Sequence, residues 1–438
     1  MAGGATSQGR AGRIWRYVPR GHPVSWWMLL VTTGAILITS IDRTILPTVL
    51  PAILREFDLS TAQGGLLVSL SFAGMAVGGI ILGTLGDSPG RGPRRAWMWG
   101  VALLFEIVGA VATALSSTLN QLRASRILGG MGEGSMEPVN VAMVGEWWQK
   151  ENRGFAVGTH HTGFPIGQFV GPALIGALLA VGTWRTAFLV IPLIGIPIFV
   201  LQTVLARKRN LEKVNRWVRE RGMTPSVTVD QIEGEGWTNP WTNIRLALSY
   251  RNVRLAVLTN FLLLFSEFGI ASFLTLQLTQ KAGLSLGEAA VISGASGITG
   301  WIGQIVWGTV SDHRGRKFSL GIISVGLAAA TLAMIFITSA ALGWIILIGW
   351  GLFRNSPYPV LYSSVIDTVP DAASSGMGLM IGVGLGVSGT IVGSVSGYII
   401  EHFGFSWNYL LLAAIYLSTL IPVMMMRETA EGRVPTRR

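Results

Sequence analysis

The stretch Gly83-Thr-Leu-Gly-Asp87-Ser-Pro-Gly90-Arg91 and its echo Gly308-Thr-Val-Ser-Asp312-His-Arg-Gly315-Arg316-Lys317 share one pattern, Gly-x-x-x-Asp-x-x-Gly-Arg. Each copy closes an apolar run, one near 63–85 and the other near 286–310. A pattern that returns at the same place in each half of a chain marks an internal repeat. The expectation is two homologous helical bundles.

Working outward, apolar runs of the length a bilayer requires, about 20 residues, fall near 26–54, 63–85, 96–115, 119–147, 154–180 and 186–205. A second set falls near 253–280, 286–310, 317–338, 342–369, 373–400 and 407–426. The fold class expected is therefore all-α and integral to the membrane, with twelve spans in two six-helix bundles. These are an N-terminal bundle over 26–206 and a C-terminal bundle over 252–426 around a central cavity. Residues 1–25 read as an uncleaved tail, 207–251 as a central linker with a short surface helix around 210–221, and 427–438 as a second tail.

Composition agrees: half of the 438 residues are hydrophobic, only 13% are charged, and 57 are glycine, the residue that lets membrane helices approach closely. Cysteine is absent, which excludes disulfides and thiolate metal sites. The net charge of +11 sits in short loops and tails, so it reports membrane topology and not nucleic-acid binding. Basic residues gather in the first tail, near 87–95, 150–153 and 312–317, in the linker, and at Arg427, Arg433, Arg437 and Arg438, whereas the alternate loops hold little beyond Arg55, Arg185 and Lys281. By the positive-inside rule both termini are cytoplasmic. The preference for Arg over Lys suggests a bacterial inner membrane. No metal motif, nucleophile elbow or phosphate loop is present, so no enzyme and no cofactor is expected, and the chain is expected to act as a monomer.

The repeated motif resembles the cytoplasmic loop signature of the major facilitator superfamily. The physical logic is that Gly83 and Gly308 admit a neighbouring helix, Asp87 and Asp312 accept from a helix N-terminus or an Arg, and the turns at Gly90-Arg91 and Gly315-Arg316 supply the cation, forming a gating latch. The first copy departs from the family pattern at Ser88, where a basic residue is usual.

Ionisable groups at bilayer depth are costly unless paired or hydrated, which makes each one a functional candidate. Most lie on the first, fourth, seventh and tenth spans: Asp42 and Arg43, then Arg126, Glu133 and Glu137, then Glu267, then Arg354. On the fourth span, offsets of 7 and 11 residues bring Arg126, Glu133 and Glu137 within about 20° of one stripe. Pro47 removes the amide that would bond the carbonyl of Arg43, and Pro357 and Pro359 do the same to Phe353 and Asn355. Helices loosened at charged positions expose polar backbone to a substrate.

The segments Ile41-Asp42-Arg43-Thr44-Ile45-Leu46-Pro47 and Arg126-(x)6-Glu133-Gly-Ser-Met-Glu137-Pro138 are similar to the matching parts of the anion:cation symporter family, which carries organic anions and sugar acids with protons. The resemblance implies that Asp42 and Glu133 accept protons and that Arg126, with Arg43, binds or responds to an anionic substrate. Glu137 and Glu267 join the proton-coupling candidates, and Arg354, Asn355 and Tyr358 the substrate-binding ones. The seven charged groups comprise three Arg and four acids. Binding one carboxylate would leave excess negative charge in a closed cavity, so protonation is expected to accompany occlusion.

A proton-coupled importer of a small carboxylate is the first reading. A proton-coupled drug exporter is the second, opposed by three cavity arginines that repel a cation. A membrane sensor is the third. Glu106, outside the cavity set, reads either as a second proton relay or as a locally paired structural acid, the latter favoured, and His160 and His161 as solvated or capping residues in preference to relay members. Tyr358, Tyr362, Asn260, Gln277 and Gln304 are open to two uses, substrate contact or helix bridging. Gly167-x-x-x-Gly171-Pro172-x-x-x-Gly176 is similar to the helix motif of drug/proton antiporters, with its last glycine displaced by one, and close packing explains it equally well.

Overall fold

A computed structural model describes residues 19–87, 93–149, 152–229, 240–369 and 378–429. The first span is Pro23–Glu56, begun by the Nδ1 of His22 accepting from the amide of Val24 and by Pro23 in the first turn. It stays helical through Pro47 and Pro51. The second is Thr61–Asp87, the third Pro93–Leu115, and the fourth Leu119–Glu146, opened by a capping box between Thr118 and Gln121. The fifth runs as Arg153–His161 and Gly163–Val181, broken only at Thr162, and the sixth as Trp184–Val190, Pro192–Ile194 and Gly195–Leu205.

The seventh span is Arg251–Ala271 with Leu274–Gln280, the eighth Leu286–Ser293 with Ser296–Arg314, and the ninth Arg316–Ala333 with Met334–Phe336. The tenth breaks into Ala340–Arg354 and Pro357–Thr368, where the prolines remove two helical amides. The eleventh contains a π-helical turn at Gly382–Val387 before Ser388–Phe403, and the twelfth is Phe405–Ser418 with Leu420–Met425.

Ten of these rods are long and apolar enough to cross a membrane. The other two are the fourth, which carries Arg123, Arg126, Glu133, Glu137 and Glu146, and the tenth, which is interrupted beside Arg354. The low apolarity of the fourth is the mark of a helix turned away from lipid, whereas the tenth is apolar but divided into segments of 15 and 12 residues. The third span shows the opposite face pattern: Trp97, Leu104 and Val108 are exposed, as lipid contact requires, while Arg95, Trp99 and Glu106 are buried.

Small residues set the helix spacing. A Cβ on Gly130 of the fourth span would stand 2.2 Å from the carbonyl of Ser71 on the second, so the two backbones touch there. The fifth-span glycines are explained by packing: a Cβ on Gly167 would meet Ser40 and Leu37, and one on Gly171 would meet Thr44 and Ile41 of the first span.

The two halves meet at the end remote from the termini. There Ser69 and Ser394 hydrogen-bond at 2.9 Å between the second and eleventh spans, and the amide of Ala62 donates to Glu401 at 2.7 Å. A Cβ on Gly65 would stand 2.2 Å from the carbonyl of Gly393. A depression of about 570 Å³ lined by Arg55, Glu56, Gly176, Trp184 and Gly287 lies where the ends of the first and fifth spans and the start of the sixth meet the start of the eighth. Between described residues, the hydrogen bonds that join the two halves lie at this end or at mid-membrane, where Asn355 meets Gln168.

Between the halves, the helix Lys208–Arg219 buries Leu211, Val214 and Val218 against Met28, Met143 and Trp147 and turns its basic face outward. Among the described residues there is no β-sheet, and a single bridge between Gln149 and Pro225 holds the following loop to the fourth span.

Candidate functional site

Adjacent residues on a helix point about 100° apart, so Asp42 and Arg43 divide between two environments. Asp42 turns inward and is 3% exposed, with neither carboxylate oxygen hydrogen-bonded. Arg43 turns toward the cleft, where its Nη2 donates to Glu137 Oε2 at 3.0 Å and its guanidinium lies 5.3 Å from the centre of the Phe164 ring. Phe164 in turn stacks on His161.

Arg126 sits deeper. Its Nη2 donates to Glu133 Oε1 at 3.0 Å, its Nε to Ser71 Oγ at 3.1 Å, and it lies over Phe188 at 5.1 Å, while its Nη1 is buried without a partner. The side chain is 3% exposed, against 14% for Arg43 and 10% for Arg354. Of the three arginines the structure brings to mid-membrane, Arg126 is the most deeply buried.

The C-terminal half builds its site around one pair. Arg354 donates from Nε to Glu267 Oε1 at 2.8 Å and from Nη1 to Ser296 Oγ at 2.8 Å, with its guanidinium 4.6 Å from the Trp350 ring centre. The hydroxyl of Tyr358 donates to the second oxygen of Glu267. Asn355, at the break in the tenth span, donates to Gln168 of the fifth at 2.9 Å, a polar bond across the two halves. Gln168 carries no charge and no sequence signal singled it out. Each arginine thus holds one glutamate and lies over one aromatic ring, an arrangement that combines a charge-assisted bond with a cation–π contact.

Two expectations are corrected. Glu106 is not a locally paired acid apart from the set: it is 1% exposed, its Oε2 has no partner, and its charged neighbours are Glu133, Asp42, Arg126 and Arg43. His160 and His161 are not solvated, because the fifth span begins at Arg153 and carries them two turns inward. His160 is fully buried beside the backbone of Thr32, and His161 is half-buried between His160 and Phe164. Tyr362 stands near Glu137. Asn260 donates to the carbonyl of Met380, and Gln277 joins Met334 to Tyr409, so both bridge helices.

Of the gating motif, Gly90 and Arg91 lie outside the described residues, as do the side chains of Asp87 and Asp312; Gly83 and Asp87 end the second helix. In the second copy Gly315 has φ +104°, a conformation open to glycine, and so permits the turn from the eighth span into the ninth. Arg316 donates to Ser311 Oγ at 2.7 Å. The acid at the N-terminus of the ninth span is Glu428 of the C-terminal tail, which accepts from the amides of Arg316 at 2.9 Å and Lys317 at 3.1 Å.

The profile of the Major Facilitator Superfamily matches residues 32–383 and again 256–438, so the chain belongs to this superfamily of membrane transporters. It is 22% identical over 431 residues to a benzoate transport protein of Acinetobacter baylyi, covering 93% of this chain and 90% of that one. It is 26% identical over 402 residues to a hexuronate transporter of Bacillus subtilis, covering 88% and 91%. The crystal structure of a D-xylose-proton symporter superposes with a TM-score of 0.69 at 16% identity over 94% of this chain and 99% of that one, a likeness of fold.

Proposed function

We propose that this chain is a proton-coupled symporter that imports a small organic anion, a carboxylate or sugar acid, by alternating access. One observation carries the reading: Arg43 and Arg354, one from each half, are less buried than Arg126, and each rests on an aromatic ring and a replaceable glutamate. A substrate carboxylate that takes the place of Glu137 or Glu267 receives the planar fork of donors that suits it. The relatives named for benzoate and hexuronate, both carboxylates, support the same class. Basic loops on the side of the termini favour a cytoplasmic position for both, which places the joined end outside.

The closed end requires Ser69–Ser394 and Ala62–Glu401 to part when the molecule opens outward, while the repeat loops close the other side. Asp42 and Glu133 lie behind the cleft, beside Arg126, and serve as the proton-accepting groups. The test is uptake of radiolabelled benzoate and glucuronate by proteoliposomes acidified outside relative to their lumen. The expected result is gradient-stimulated uptake, lost in Arg43→Ala and Arg354→Ala. Exchange of a lipophilic cation for protons, with no carboxylate moved, would replace this reading with the exporter.

A further inference from the structure

We infer that Glu106 is a third proton-carrying carboxyl, placed behind Arg126, which trades its proton with Glu133 as Arg126 changes partner. The inference deepens the proposal of proton coupling and rests on it for its use in transport.

The third and fourth spans touch backbone to backbone. A Cβ on Gly109 would stand 2.2 Å from the amide nitrogen of Gly129, and one on Gly132 would stand 2.4 Å from the amide nitrogen of Glu106. This contact presses Glu106 against the charged stripe of the fourth span. The space beside Gly129 has Arg126 Nη1 at 3.6 Å and Glu106 Oε2 at 3.7 Å from one point, and both atoms are buried without a hydrogen bond. A cationic donor and a carboxyl oxygen therefore face the same small gap with nothing holding either.

Charge completes the argument. One guanidinium stands among Asp42, Glu106 and Glu133, and it touches only Glu133. An unpaired carboxylate in a dry site costs several kcal/mol, about the scale that drives buried groups to neutralise. The neutral state of this cluster holds two protons, and the unpartnered Asp42 and Glu106 are their bearers. The charged groups facing Glu106 are Glu133 and Arg126 from the fourth span and Asp42 and Arg43 from the first; the second and sixth spans bring no other among the described residues.

The step is a handover. The O–H bond of Glu106 breaks, an O–H bond forms on Glu133, and the guanidinium of Arg126 turns from Glu133 toward Glu106. Net charge is unchanged, and the proton moves from the third span to the fourth. Glu106 touches no substrate in this scheme and is a positioning and relay residue.

Infrared titration of the purified full chain, which needs no substrate, tests this. At neutral pH the wild type is expected to show protonated-carboxyl C=O absorption, and Glu106→Gln to lose the share of one acid. Glu133→Gln, which mimics protonated Glu133 and leaves Glu106 in place, is expected to lose the same band while total carboxylate absorption stays level, because Arg126 then ionises Glu106, which replaces the carboxylate removed with Glu133. A band unchanged by Glu106→Gln would overturn the inference, as would a Glu106 band that persists in Glu133→Gln, since that describes a permanently protonated filler. Normal band behaviour in a protein that moves no carboxylate would uphold the assignment of Glu106 and count against the transport reading.

Discussion

The two halves share a fold and an internal motif, yet they treat buried charge in opposite ways. The C-terminal half holds one glutamate and one arginine at mid-membrane, and every contact of the pair is made: Glu267 accepts from Arg354 and Tyr358, and Arg354 also donates to Ser296. The N-terminal half holds Asp42, Glu106, Glu133 and Glu137 against Arg43 and Arg126, and leaves atoms of Asp42, Glu106, Arg43 and Arg126 without partners. A satisfied pair has one stable protonation state. A crowded, under-neutralised cluster has several of similar free energy, which is what a proton carrier requires. On the proton-coupled reading proposed above, proton work falls to the first half, and the second, together with Arg43, holds the anion.

The largest effect that breaks this comparison is removal of the central cation. Arg126→Ala strands Glu133 beside two further acids and is expected to destabilise the protein by about 3–5 kcal/mol, the cost of breaking a buried pair. Arg354→Ala leaves Glu267 its bond from Tyr358, and a smaller loss is expected. Thermal unfolding of the two variants in the same detergent checks the order; equal losses would erase the asymmetry.

A second contrast lies in packing. Gly130→Ala pushes a methyl group toward the Ser71 carbonyl and is expected to cost about 1–3 kcal/mol by overpacking. Gly308→Ala meets nothing within 4 Å in the present state, so its melting temperature is expected to match wild type. On the alternating-access reading, closure of this end packs the face against a neighbour, and slower transport without loss of stability is the expected signature.

The smallest effect is at the linker. His22 caps the first span and lies edge-on to Trp217, and its pKa falls below the ordinary 6.5 through burial and the nearby charges of Lys213 and Arg221. A lowered folded-state pKa for a base means that its stabilisation is complete above 6.5 and is lost as pH falls through the folded value. Hydrogen exchange in Lys208–Arg219 is expected to quicken at low pH in wild type and to lose that dependence in His22→Asn.

Much of this was legible in the sequence. The repeated Gly-x-x-x-Asp-x-x-Gly-Arg and the apolar runs sufficed for the fold, because bilayer thickness and backbone satisfaction leave few alternatives. The gathering of charge on the first, fourth, seventh and tenth spans was visible as well. Partnership was not. Arg43 pairs with Glu137, 94 residues away, and not with its neighbour Asp42, because adjacent helical residues diverge. Glu106 was misjudged because its link to Arg126 runs through glycine contacts between two helices, which no periodicity in one helix reveals. Glu428 reaches the ninth span from a tail that reads as merely basic.

The most direct test of the division of labour compares Glu133→Gln with Glu267→Gln in proteoliposomes, each measured for benzoate uptake with and without an outside-acid gradient. The account predicts that Glu133→Gln still exchanges benzoate across the membrane but no longer responds to the gradient, whereas Glu267→Gln keeps the response and shows a raised KM. The reverse assignment, with gradient response lost in Glu267→Gln and kept in Glu133→Gln, would contradict it.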